Sequence, residues 1–213
     1  MRTLTATRVD LQRFADQIAT LETSLRQTPP EPGGILFYGS STMVHWRADD
    51  LLQRQMAPLP VLSTGFGGST ADEALYYYGR LVLPVRPSIL VYYEGDNDLG
   101  LGYTAAEVLE LTHRLFEWAR QDLPGIRFLI IPVKDYPAQD APKEQLAALN
   151  RDFAEYATAH EDTWVADIGP VLQDEQGMTR LDIFEDDNTH YNLKGYQLLA
   201  GQVKPILERL AES

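Results

Sequence analysis

The 213-residue chain contains no cysteine. Disulfides, thiolate metal sites and cysteine nucleophiles are therefore excluded, and stability has to come from a packed core rather than covalent staples. Long apolar runs are missing too. No stretch approaches the length of a membrane-spanning helix, and Met1–Gln27 lacks the apolar segment of a secretory signal, so a cytoplasmic location is expected. Basic residues are few: 18 Lys and Arg stand against 31 Asp and Glu, a formal net charge of −13. A nucleic-acid-binding surface needs cations to displace phosphate counterions, and an anionic membrane needs them as well. Both partners are disfavoured, and a neutral or cationic small molecule suits this field better. Repeats, low-complexity tracts and long linkers are also absent. Residues 1–213 thus read as one domain, with 1–30 as an N-terminal helical extension packed on it.

What is present is an alternation of short apolar runs and amphipathic segments. Hydrophobic residues make up 44% of the chain, enough for a sizeable core at this length. Val9, Phe14, Ile18, Leu21 and Leu25 recur near helical spacing and predict a surface helix over 8–27, stopped by Pro29-Pro30 and Pro32-Gly33-Gly34. Strands are expected at Ile35–Tyr38, Val61–Ser63, Ser88–Tyr93, Phe128–Val133 and Trp164–Ile168. Helices are expected near 42–55, 70–81, 105–121, 142–160 and 193–211. Short strands that are apolar on both faces and separated by helices describe a parallel sheet covered on both sides, an α/β three-layer sandwich with right-handed crossovers. Such sheets place ligands beyond the carboxyl ends of their strands. The irregular loops 134–142 and 169–189 both leave such ends.

Two short motifs carry chemistry. Ser41 follows the first strand in Gly39-Ser40-Ser41, where a small-residue turn can present its Oγ at the lip of the sheet. Asp187 and His190, in Asp187-Asn188-Thr189-His190, sit in a loop ahead of the last helix. A carboxylate three residues before a histidine can hold one ring nitrogen and leave the other free to take a proton. A serine needs such a base to become a nucleophile. Acyl transfer also needs donors aimed at the developing oxyanion. The backbone N–H of Gly68, the side-chain amide of Asn97 and the backbone N–H of Ser41 are the candidates.

The simpler readings stand beside these. Ser41 alone would pass for a helix N-cap. Gly65, Gly67 and Gly68 have the look of a turn, and lack the spacing of a phosphate loop. Asp96, Asp98 and Glu107 match positions 1, 3 and 12 of a calcium loop, but Gly100 and Leu101 fall where a ligand and a glycine are required, so no metal is expected. His45, one helical turn after Ser41, is a second candidate base, and Asp186 a second orienting acid. His113 and His160 read as packing or surface residues on helices. Trp46, Phe66, Tyr103 and Tyr136 are aromatic candidates for lining a pocket, whereas Tyr76–Tyr78 read as the core and surface of one helix.

Taken in order, the blocks Gly39-Ser40-Ser41, Gly67-Gly68-Ser69-Thr70, Gly95-Asp96-Asn97-Asp98 and Asp187-Asn188-Thr189-His190 resemble those of the SGNH hydrolases, the GDSL-like esterase/lipase superfamily. The resemblance spans residues 35 to about 200. It implies a flavodoxin-like sheet of order 2-1-3-4-5, a catalytic triad Ser41–His190–Asp187, an oxyanion hole from Ser41, Gly68 and Asn97, and no cofactor. The family's first block usually reads Gly-Asp-Ser, and here Ser40 stands in place of the Asp. The implied activity is hydrolysis of carboxylic esters of small or soluble substrates through an acyl-enzyme on Ser41. The alternatives are a carbohydrate acetylesterase or acyltransferase using the same groups, and a binding module that keeps the fold without turnover.

Overall fold

Five short strands line up in one parallel sheet: β1 (Ile35–Gly39), β2 (Val61–Ser63), β3 (Ile89–Tyr93), β4 (Arg127–Ile130) and β5 (Thr163–Val165). Their spatial order is β2-β1-β3-β4-β5, so the order expected from the resemblance holds. The computed structural model describes residues 8–212; residues 1–7 of the expected N-terminal extension lie outside the described residues.

Alternate strand residues feed two apolar layers, which is why the strands read as unbroken hydrophobic runs. Leu36, Tyr38, Leu90, Tyr92, Phe128 and Ile130 face one side. There they meet α1 (Ala15–Gln27), α4 (Ala71–Leu81), α6 (Ala105–Asp122) and α7 (Lys143–Ala159). Ile35, Phe37, Ile89, Val91, Tyr93 and Leu129 face the other side, against α2 (Ser41–Arg47), α3 (Leu51–Met56) and α9 (Leu193–Glu212). The short helices α5 (Asp96–Gly100) and α8 (Gly169–Leu172) follow β3 and β5.

Several boundaries differ from the sequence-based expectation, each for a local reason. The first helix begins at Ala15, because Asp10 turns the chain ahead of it by accepting from the N–H groups of Gln12 and Arg13. The helix expected over 42–55 is two helices joined by a 3₁₀ turn, Ala48–Asp50; Asp49 and Asp50 take left-handed backbone angles (φ 50° and 56°) that break the α-helical ladder. The fourth strand starts at Arg127 and stops at Ile130, two residues before Pro132, which has no N–H to donate. The fifth runs over Thr163–Val165 instead of 164–168. Asn97 lies in the first turn of α5, a short helix outside those expected from the sequence.

Candidate active site

Three loops emerge side by side at the carboxyl edge of the sheet. β1 lies between β2 and β3, so the turn carrying Ser41 is bracketed by the Gly65–Ser69 loop after β2 and the Gly95–Asn97 turn after β3. Main-chain bonds fasten the three together: Ser40 N–H donates to Tyr93 O at 3.2 Å, and Phe66 N–H to Gly39 O at 2.9 Å. Gly39 makes this approach possible. Its φ is 143°, and a Cβ there would stand 1.9 Å from the Tyr93 carbonyl oxygen. Gly65 is also more than a turn residue, since a Cβ on it would lie 2.4 Å from Met43 Cβ.

Ser41 opens α2, with Ser40 as the extended N-cap. The helix is fixed from behind by Tyr196, whose hydroxyl donates to Thr42 O at 2.9 Å. The acid and the ring arrive from the far end of the chain. Asp187 Oδ1 accepts from the N–H groups of Thr189 and His190, both at 2.9 Å, and Asn188 takes the left-handed conformation (φ 55°) that closes this turn. A bridge between Phe184 and Tyr191 pins the turn's base, and the Asn192 side chain accepts from Gly195 N–H at 3.1 Å to start α9.

Folding brings the two distant motifs into one hydrogen-bonded chain. Asp187 Oδ2 lies 2.6 Å from His190 Nδ1, and His190 Nε2 lies 3.0 Å from Ser41 Oγ. The His190 bonds, side chain first and then backbone, hold the Asp187 carboxyl far below the usual carboxylate range. With Nδ1–H donating to that anion, Nε2 is left as an acceptor facing the hydroxyl. A serine hydroxyl so placed can pass its proton to the ring as it attacks an electrophile.

The other two sequence-predicted residues are linked to each other. Asn97 Nδ2 donates to Ser69 O at 2.9 Å, which uses one of its two amide hydrogens and leaves the other without a partner among the described residues. Gly68, next to Ser69, has φ 71°, a left-handed angle that favours glycine. Arg13 donates to its carbonyl at 2.9 Å.

Other candidates go elsewhere. His45 stacks on the His190 ring, centroids 4.1 Å apart at 26°, instead of meeting Ser41 as a base. Burial and the neighbouring His190 lower the His45 pKa, which favours a neutral ring beside the base. Trp46, Phe66 and Tyr103 are core residues. Trp46 Nε1 donates to Gln55, Phe66 packs on Phe14 and Tyr77, and the Tyr103 hydroxyl donates to Asp72. Tyr136 does border a space, a cleft of about 670 Å³ between the irregular loops, shared with Met178, Leu181 and Lys143. None of Ser41, Asp187 and His190 lines it. His113 and His160 both stack on Tyr156. Among the described residues no three acids or histidines converge on a metal position. Asp96 faces Lys134, Asp98 accepts from Ala71 N–H, and Glu107 caps α6 and pairs with Arg8.

Sequence reasoning missed one feature beneath Ser41. Lys134 is fully buried, with Nζ 3.0 Å from the Tyr93 hydroxyl, 3.2 Å from Asp96 Oδ2 and 3.3 Å from Thr42 Oγ1. Its ammonium joins the loop after β4 to α2 and α5. In sequence it looks like any surface lysine; only the expectation that loop 134–142 leaves a ligand-bearing strand end pointed to it.

Among solved structures, one from Streptococcus pneumonia, provisionally described as a platelet activating factor, superposes with a TM-score of 0.80 at 18% identity, covering 92% of this chain and 94% of that one. A GDSL-like lipase from Bacteroides thetaiotaomicron gives 0.72 at 18% identity, covering 94% and 98%. The lipase/acylhydrolase from Enterococcus faecalis gives 0.67 at 18%, covering 84% and 96%. At these identities the likeness shows the fold. No curated protein matches this chain by sequence. The sequence profile of one family matches residues 37–198, well over half of the chain and all four motif blocks, and on that ground the protein belongs to the GDSL-like Lipase/Acylhydrolase family.

Proposed function

We propose that the protein is a serine esterase that cleaves carboxylic O-acyl esters of small or soluble substrates through an acyl-enzyme on Ser41. The observation that carries this reading is the continuous Asp187–His190–Ser41 chain, with both hydrogen bonds at 3.0 Å or less. Ser41 Oγ attacks the ester carbonyl while His190 Nε2 takes its proton. Asp187 holds the ring in the needed tautomer and stabilises the imidazolium that forms. The tetrahedral oxyanion rests on the N–H groups of Ser41 and Gly68 and on the free amide hydrogen of Asn97. Collapse expels the alcohol, which receives the proton from His190. Water then repeats the cycle on the acyl-enzyme and releases the acid. Named side chains handle every proton and electron pair, so the sequence of steps calls for no cofactor.

The substrate class rests on charge: the net charge of −13 disfavours polyanionic partners. Labelling by a fluorophosphonate, lost in Ser41→Ala, tests the nucleophile. Turnover of p-nitrophenyl esters across an acyl-length series, repeated with acetylated sugars, tests the substrate class. Ser41→Ala and His190→Ala should each lower kcat by about 10⁴-fold or more, and the double variant should lose little further, because the two act as a unit. A folded protein that neither labels nor turns over these esters is the binding module instead. A preference for acetylated sugars, or transfer to an added alcohol in place of water, reassigns the acceptor and leaves the triad intact.

A further inference from the structure

A second layer of side chains stands behind the donors assigned above, and it centres on an acid that the mechanism does not use. Glu94 is the first residue after β3 and is fully buried. Its Oε1 accepts from the Ser69 hydroxyl at 2.6 Å. The carbonyl of Ser69 in turn accepts from Asn97 Nδ2 at 2.9 Å, and Asn97 returns to Glu94 through two intervening residues. The ring so closed runs from β3 across to the loop after β2 and back. It holds Asn97 directly and Gly68 through the peptide bond to Ser69.

We propose that Glu94, carrying a proton, is the positioning residue that sets the spacing of the Gly68 and Asn97 donors while placing no negative charge behind them. The proposal rests on the serine-esterase reading, since it assigns a role in that site's oxyanion hole. The geometry favours the neutral form. Glu94 Oε2 has no partner among the described residues, and neither does Oδ2 of the buried Asp98. The groups facing Glu94 are mostly acids or phenols. From α4 comes Glu73, from α5 Asp96 and Asp98, from β1 Tyr38 and from β3 Tyr92. The nearby cation, Arg13, donates twice to Glu73, and Lys134 pairs with Asp96. Burial, followed by the Asp98 carboxyl, drives the Glu94 pKa well above the carboxylate range. Both buried acids are raised, and Glu94 is the one that holds its proton more firmly, because Asp98 accepts a backbone N–H from Ala71 where Glu94 has only a hydroxyl. A neutral acid also suits the chemistry. An anion close behind the donors would oppose the charge that develops on the oxyanion in a site shielded from water.

The experiment compares Glu94→Ala, Glu94→Gln and Ser69→Ala with wild type on one short p-nitrophenyl ester. Folding is monitored by thermal melts, and Ser41→Ala serves as reference. Glutamine keeps the acceptor and the uncharged state. Glu94→Ala should lower kcat by about 10–10²-fold, as a donor displaced by a fraction of an ångström to an ångström would, with KM little changed. Ser69→Ala, which deletes the linking hydroxyl, should show the same split. Glu94→Gln should recover kcat to within about fivefold of wild type, one neutral hydrogen bond replacing another. In infrared difference spectra at neutral pH, wild type should show a protonated-carboxyl carbonyl band beyond that of Asp98, and Glu94→Gln should lack it. If Glu94→Ala does not fold, Ser69→Ala and the infrared band still decide the matter. Glutamine as damaging as alanine, or a wild-type spectrum without the band, overturns the neutral assignment. Wild-type kcat in folded Glu94→Ala overturns the positioning role. If Ser41→Ala itself turns over normally, it is the esterase reading that fails.

Discussion

Asp98 places a carboxyl in the interior of a strongly acidic protein, and this has a consequence for stability. Burial pushes its pKa up to about 8, against an ordinary value near 4. The folded chain therefore keeps a proton that the unfolded chain releases, and stability falls as pH rises from about 4 towards about 8. Asp98→Asn keeps an acceptor for Ala71 N–H and removes the titration. Urea unfolding across that pH range should show a flatter profile for the variant, with its relative advantage growing on the alkaline side. A parallel decline in both proteins would exclude Asp98 as the cause. On the proposed mechanism, Asp187 behaves in the opposite sense. Its carboxyl, held low by His190, stays ionised well into the acid range, so loss of esterase activity on mild acidification would not come from protonation of this acid. Asp187→Asn should lower kcat by about 10²–10⁴-fold at every pH where wild type is active, with the fold scarcely disturbed, because the acid side chain is half exposed. Ser41, Asp187 and His190 are legible in sequence because their signal is local: a small-residue turn after a strand, and an acid three residues before a histidine. Glu94 and Lys134 are not legible, because what distinguishes them is burial, which the packing of distant elements decides.

At the scale of elements, α4 and α6 are readable to within a residue or two. Thr70 with Glu73 and Thr104 with Glu107 form capping boxes that mark where each begins. The break between α2 and α3 escapes such reading, since left-handed angles at Asp49 and Asp50 are set by tertiary fit and no glycine announces them. α5 escapes as well, being only five residues long and too short to show a period. α1 gives a test of how an outlying helix is held. Ile18 is fully buried against the α4 face, and Arg13, ahead of α1, pairs at 2.6 Å with the fully buried Glu73. Ile18→Ala should cost about 2–4 kcal/mol in chemical denaturation, the range for a buried aliphatic truncation. A loss near zero would mean that α1 docks without contributing to the core. The turn between β1 and α2 is less forgiving. Gly39→Ala has to move a main-chain carbonyl that its Cβ would meet at 1.9 Å, and should cost about 3 kcal/mol or more, or fail to yield folded protein.

For the whole molecule, the formal charge of −13 makes the surface a selective field. With matched aryl esters that differ only in a remote charge, kcat/KM should rise with added salt for the anionic ester and fall for the cationic one, by a few-fold, as screening shortens the field to about 10 Å at 0.1 M. Equal salt responses for both esters would show that the site is insulated from the surface charge. Within that field the groups proposed to react have unequal supports. Ser41 follows β1, a strand paired along both edges, whereas His190 hangs on a loop whose ties are a two-residue bridge and a few main-chain bonds. In hydrogen exchange the Ile35–Gly39 amides should therefore outlast those of Asp187–His190 by orders of magnitude. On the proposed reading, a molecule built this way has a firmly anchored anvil and a lightly tied hammer: new substrates can be accommodated by reshaping the loops at the sheet's rim, with the hydroxyl's footing left as it is.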